Sequence, residues 1–259
     1  MGIDRRQLGG QVRALVSSTL ERAGFLAAFT ERTGGVSPPP FDSLNLSLVT
    51  EDVSENAREN RARVVSGLGI PPFATAYQVN GAKVVRVGAK RAGAGFEDPE
   101  TRIPGADVLY TRSARLPLAV MTADCLPVVL AAPRENAVAV VHAGWRGLAA
   151  GILEGAVRAF EEPRDIRVVI GPAIGPDHYE VGEDVALAVA SGSEAGAVTQ
   201  RRGDALFLDL PGTARSVLKG LGVGRIEDVG LCTACEHRRF YSHRRDGITG
   251  RQAAIAMRL

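Results

Sequence analysis

The sequence predicts an α/β (α+β) protein in which mixed β-sheets are covered by helices, and three observations carry that expectation. "LPLAVM", "LPVVLAA" and "AVAVVHAG" are short Val- and Leu-rich runs without polar alternation, as strands buried on both faces require. "RGLAAGILEGAVRAFEE" follows with Leu148, Ile152, Ala156 and Phe160 spaced four apart, which is one helix face. Strand-like and helix-like segments then alternate imperfectly, which fits mixed sheets better than a doubly wound parallel sheet.

Taken in chain order, the first 30 residues read as the start of the first sheet. "GGVSPPPFDSLNLSLVTEDVSENAREN" is a Gly/Pro/Asn-rich loop leading into a helix. Ser54 is the expected N-cap, and Ala57, Val64, Val65 and Leu68 form a partial apolar stripe before Gly69 and Pro71-Pro72 stop it. "AYQVNGAKVV" predicts a hairpin, because Asn80-Gly81 tolerates the positive φ of a type I′ turn. After a second loop, "GAKRAGAGFEDPETRIPGAD", come the three buried runs and their helix. "IRVVIGPAIGP" is a further strand ending in a rigid turn. "LFLDLPGTARSVLKGLGV" gives a strand and a helix with Pro211 in its first turn, and "RQAAIAMRL" closes the chain as a strand. Neither loop reads as an interdomain linker, so residues 1–259 are expected to form a single domain.

Composition narrows the function. The chain has 259 residues, 45% hydrophobic and 23% charged, with a net charge of +2, so no global basic field invites nucleic acid. No run approaches the roughly 18 apolar residues of a membrane span. The N-terminus lacks the apolar core of a signal peptide, and Arg6 stands where a myristoylation signal needs Ser or Thr. Three cysteines form no disulfide framework. A cytoplasmic protein with a small-molecule substrate is expected, as a monomer or small homo-oligomer with no nucleic-acid or membrane partner. In a reducing compartment its thiols serve as ligands or nucleophiles, or are simply buried.

Cys125 in "TADCLPVVL" and His142 at the end of "AVAVVHAG" each sit where a buried run opens onto a loop, a common position for catalytic groups. A thiolate and an imidazole are good zinc ligands, and a catalytic zinc has three protein ligands. The other reading is a buried cysteine beside a core histidine. Arg146 lies at the entry to the Gly147 helix, where a guanidinium and free N–H groups attract anions, or where it pairs with a surface carboxylate. Glu180 either acts as a base or caps the following helix. In "CTACEHRRFYSHRRDG", Cys232, Cys235, His237 and His243 form half of a zinc motif or an ordered polar loop.

The motifs "TADCLPVVL", "VHAGWRGLAAGI", "IGPAIGP-x-x-YEVG" and "FYSHRRDGITGRQAA", in that order, resemble the YfiH family, also described as multicopper polyphenol oxidase or laccase-like. The likeness runs from "SLNLS" at Ser43 to the end. It implies mixed sheets stacked between helices in an α/β/β/α arrangement. It also implies zinc-assisted phosphorolysis of adenosine, inosine and methylthioadenosine with phosphate as co-substrate, together with adenosine deamination. In the family one zinc is held by histidine from "QVHG", the "TADC" cysteine and the "HAGWRG" histidine. Here the last two are Cys125 and His142, but Asn80 replaces the first histidine.

An amide oxygen is a poorer zinc donor than imidazole, and His178, in "GPDHYEV" where the family has "GPCCYEV", is the expected replacement ligand. The resemblance also places Asn45 and Arg61 among substrate- or phosphate-binding positions with Arg146. Asp124 is expected to orient His142 from behind. Two rival readings follow from Asn80. One is a metal-free Cys125/His142 hydrolase of the kind suggested for peptidoglycan precursor editing, and the other a nucleoside-binding protein whose catalysis has decayed. Laccase chemistry needs around ten histidines, and four cannot supply them.

Overall fold

The structure is a computed structural model that describes residues 2–193 and 195–259. The apolar runs pair into two main sheets. A five-stranded antiparallel sheet holds, in spatial order, Ile3–Gly9, Val12–Ser17, Phe25–Thr30, Gln252–Arg258 and Leu118–Thr122. A six-stranded sheet holds Arg225–Asp228, Arg167–Ile170, Leu126–Ala132, Ala137–Ala143, Val108–Thr111 and Val84–Arg86. Its two outermost pairs are parallel and its inner pairs antiparallel, so it is mixed as expected. A small sheet of Glu180–Val181, Ala205–Leu208 and Thr199–Arg202 stands apart.

Side-chain alternation along each strand sorts the core into layers. Leu109, Val129, Val138, Val140 and Val169 of the six-stranded sheet meet Phe25, Phe29, Leu118, Val120 and Ala254 of the five-stranded one. Their neighbours Val108, Val128, Leu130 and Val141 point the other way, onto Ile152, Leu153, Val157 and Val217. The outer face of the five-stranded sheet, with Val16, Leu26, Ile255 and Met257, is covered by Leu44, Leu46, Val64 and Phe73. The result is helix, sheet, sheet, helix. Each fully buried Val, Leu or Phe contributes about 1.5–3 kcal/mol, whereas an exposed ion pair adds about 0–1 kcal/mol, so the sheet-on-sheet layer governs stability.

Three expectations are corrected. "AYQVNGAKVV" makes no hairpin: Ala76 bridges to Ile103, and Val84–Arg86 pairs in parallel with Val108–Thr111. Asn80 does adopt φ 57°, but a carboxylate closes the turn instead of a strand ladder. The long helix after His142 is two helices, Trp145–Ala149 and Ile152–Arg158, broken at Gly151, whose φ of 72° only glycine adopts without strain. Ser54 is the first helical residue of Ser54–Leu68 and not its cap; Val53 precedes it without a side-chain bond. By contrast Asp209 caps Leu210–Gly220 through Gly212 N–H, with Pro211 in the first turn as the sequence suggested.

Phe29 fills the space between the sheets and is 2% exposed. Phe29→Ala is expected to lower unfolding free energy by about 3–5 kcal/mol, measured by urea denaturation; a loss under about 1 kcal/mol would show that the sheets do not close on this ring.

Candidate active site

Strand register assembles the site. Val108 pairs with Val141, so one step along the ladder Asp107 faces His142, and His142 N–H donates to the Asp107 carbonyl at 2.8 Å. Leu126 pairs with Ala143, so one step further Cys125 faces Gly144. A Cβ at Gly144 would lie 3.1 Å from Cys125 Sγ and 3.3 Å from Asn80 Oδ1. Glycine is therefore what lets the thiol and the amide oxygen close around one point.

Asp107 is the hub of this arrangement. Its carboxylate is fully buried and accepts from Val79 N–H, Asn80 N–H and Gly81 N–H at 3.1, 3.0 and 2.9 Å. It also lies 2.8 Å from His142 Nδ1. Burial alone would raise this carboxyl; the bonds from His142 and the backbone outweigh that and hold it below the usual carboxylate range. For His142, burial opposes the charged ring, but Cys125 on one side and Asp107 on the other raise it to about 9. With Nδ1 fixed on Asp107, the Nε2 edge is left for the Cys125 side.

These groups border a cavity of about 510 Å³, within the range of small-molecule sites. Asn80, Cys125 and His142 share it with Tyr77, Thr122 and His243, and four guanidinium groups, Arg61, Arg102, Arg146 and Arg251, surround it. Thr122 Oγ1 is buried without a hydrogen-bond partner among the described residues, an unmet polar group beside a cavity that a polar ligand would satisfy. Arg146 is exposed, stacks 4.4 Å over Trp145, and has no carboxylate partner among the described residues.

Several expected roles are redistributed. Asp124 does not orient His142: its carboxylate accepts from Thr233 Oγ1 at 2.6 Å and Arg244 N–H at 2.7 Å, clamping the loop beside Cys125. Asn45 is wholly buried, with its amide spent on Ser47, Thr50, Asp52 and Arg251, so it shapes the loop and does not border the cavity. Arg61 does border it, but Nε and Nη1 donate to the carbonyls of Leu46, Gly95 and Phe96, leaving only Nη2 without a protein partner among the described residues. Burial lowers this guanidinium to about 9.

His178 does not stand in for the missing histidine; its ring clusters with Cys232 and Cys235. The turn at Arg146 opens a helix of only five residues, and Glu180 caps nothing, since Gly182 precedes the helix Glu183–Ser191. His237 and His243 are not part of a Cys-Cys-His-His site: His243 borders the cavity, with Nδ1 2.8 Å from Gly247 O.

The residue that sequence reasoning missed is Asp107. It is 35 positions from His142 and belongs to no motif; its one signal is an acid at the mouth of the apolar run "VLYT". Thr122 and Arg251 stand inside the quoted motifs "TADCLPVVL" and "FYSHRRDGITGRQAA" and Arg102 in none, but only the fold turns all three toward a common space.

Two stacked sheets with a thiol, an imidazole and a carboxylate converging at the rim of one describe an architecture with known members. The family model described as multi-copper polyphenol oxidoreductase laccase matches residues 26–259, and the chain belongs to that family. It is 38% identical over 235 residues to purine nucleoside phosphorylase YfiH of Escherichia coli (strain K12), covering 90% of this chain and 93% of that one. It is 41% identical over 245 residues to a purine nucleoside phosphorylase of Xylella fastidiosa (strain Temecula1), covering 90% and 92%. The crystal structure of YlmD from Geobacillus stearothermophilus superposes with a TM-score of 0.91 at 36% identity, over 98% of this chain and 97% of that one.

The pH dependence follows from His142. Raised from its ordinary 6.5 to about 9, it contributes stability that is complete below about 6.5 and lost as pH rises through about 9 in the metal-free protein. Asp107→Asn is expected to lower the imidazole titration midpoint, followed by NMR of the ring protons. An unchanged midpoint would mean that Asp107 does not support the charged ring.

Proposed function

We propose that the protein is a purine nucleoside phosphorylase acting on adenosine, inosine and methylthioadenosine, with adenosine deaminase activity at the same site. The observation that carries this reading is the Asp107–His142–Cys125 array with Asn80, set in an arginine-lined cavity of small-molecule size. The names of the relatives support it.

The donor set fits one zinc ion: the Cys125 thiolate, the free edge of His142 and the Asn80 amide oxygen, gathered where Gly144 leaves room. When bound there, zinc would supply Lewis-acid polarisation at the purine or at water. The remaining work falls to side chains. In phosphorolysis, phosphate oxygen bonds to ribose C1′ while the C1′–N9 bond breaks and its electron pair leaves with the base. Arg146, with no carboxylate partner among the described residues, is suited to hold the phosphate dianion, assisted by Arg251 and by Nη2 of Arg61. Tyr77 offers a ring face for a purine and Thr122 Oγ1 an unspent hydroxyl. Copper oxidase chemistry is disfavoured by donor count, since the chain has four histidines and only His142 and His243 border the cavity.

Incubation with adenosine and phosphate is expected to yield adenine and ribose 1-phosphate, with inosine and ammonia forming independently of phosphate. Unchanged nucleoside after prolonged incubation would refute the reading and leave a binding protein. Arg146→Ala is expected to raise KM for phosphate by about 10- to 100-fold, the value of one charged hydrogen bond. Asn80→His keeps a residue that tolerates positive φ and is expected to tighten zinc binding by on the order of tenfold or more, since even a lost outer partner costs that much.

A second reading has its own support. Without metal, Cys125, His142 and Asp107 form a nucleophile, base and orienting carboxylate, the logic of a thiol hydrolase. Alkylation of Cys125 in metal-free protein that abolishes an ester or amide hydrolysis would favour it; nucleoside turnover that needs zinc would exclude it.

A further inference from the structure

The segment after the six-stranded sheet's edge brings together three side chains that the cavity does not use. His178 Nδ1 lies 3.8 Å from Cys232 Sγ and 3.6 Å from Cys235 Sγ, and all three atoms fall within 4.8 Å of one another. Zn–S bonds of about 2.3 Å and Zn–N bonds of about 2.0–2.1 Å at tetrahedral angles put nitrogen and sulfur about 3.6 Å apart. The two nitrogen–sulfur separations match the corresponding edges of such a tetrahedron. A disulfide-forming pair would need the two sulfurs alone; it would not need an imidazole equidistant from both.

The surroundings fix the position of the Cys232 sulfur. Gly175 N–H donates to Cys232 Sγ at 3.1 Å, the kind of outer hydrogen bond that orients a metal-binding sulfur. Cys232 is held in place by the isolated bridge between its own position and Ala173, and Thr233 N–H donates to Ala173 O at 3.0 Å. The C-x-x-C spacing lets one short turn present both thiols. His178 arrives from the other side, on the turn after "GPAIGP".

We propose that His178, Cys232 and Cys235 form a second zinc site, separate from the Cys125–His142 cavity, with a fourth position open to solvent. Binding displaces the two thiol protons and leaves a neutral centre of one zinc and two thiolates. The site staples the turn at 175–179 to the segment 232–235. Within that segment Thr233 reaches Asp124, the neighbour of Cys125, so the staple also supports the loop that presents the cavity's thiol. This inference does not rest on the nucleoside reading.

The test uses the full chain with Cys125→Ser, which removes the thiolate of the cavity, stripped of metal and titrated with Co²⁺. A thiolate-to-cobalt charge-transfer band is expected at about one equivalent, because only Cys232 and Cys235 remain to give it. The band should vanish in Cys125→Ser/Cys235→Ser, and His178→Ala, at an exposed position, should shift it and weaken Co²⁺ binding at least about tenfold. Absence of the band in folded Cys125→Ser, or its persistence after Cys235→Ser, would overturn the proposal. So would isolation of Cys232 and Cys235 as a disulfide from protein kept under reductant. Zinc analysis of the unsubstituted protein should fall by about one equivalent on Cys235→Ser; no fall would also overturn it.

Discussion

The carboxylate of Asp107 is the constraint on which the site depends. Buried without solvent, it is stable only because four donors converge on it: three consecutive backbone N–H groups at residues 79–81 and the His142 ring. A buried carboxylate missing such partners would protonate or force the fold apart. The same bonds that satisfy it hold the left-handed turn at Asn80 and fix which ring nitrogen of His142 faces Asp107. Turn and imidazole are thus two ends of one electrostatic unit, and neither can be positioned without the other.

Around that unit the chain distributes charge in two ways. Some arginines are spent on architecture: Arg61 ties three carbonyls, and Arg245 donates to the carbonyls of Thr233, Ala234 and Phe240. Arg146 borders the cavity with no carboxylate partner among the described residues. Asp124, despite its place beside Cys125, belongs to the first group, because its two oxygens are saturated by Thr233 and Arg244. A residue's nearness in sequence to a reactive group therefore says little about its role; the partners available in space decide it.

The layered fold explains why the chemistry sits at a rim. Strands sandwiched between a second sheet and a helical layer have no room for a charged group along their length. In the four central strands of the six-stranded sheet, charged and imidazole side chains appear only at or next to the strand ends, where Asp107, Cys125 and His142 gather. Asn80 occupies the place that a histidine holds in the resembled motif, and its amide oxygen and the Cys125 sulfur both border the space that Gly144 leaves open. The proposed zinc would meet a weaker donor there, since an amide oxygen stands where the motif has an imidazole.

Much of this was legible in the chain itself. The buried strands, the helix at 210–220, the Cys125 and His142 positions and the family motifs are local patterns, because burial on both faces and capping leave marks within a few residues. Tertiary structure alone decided the rest. The hairpin was lost because both arms found better partners, and the helix after Gly144 broke at a glycine that local periodicity cannot expose. His178 went to Cys232 and Cys235, and the orienting acid proved to be Asp107 rather than Asp124. Each of these depends on which distant segments pair across a sheet, and hydrogen bonding at a range of 30 to 60 residues has no signature in local spacing.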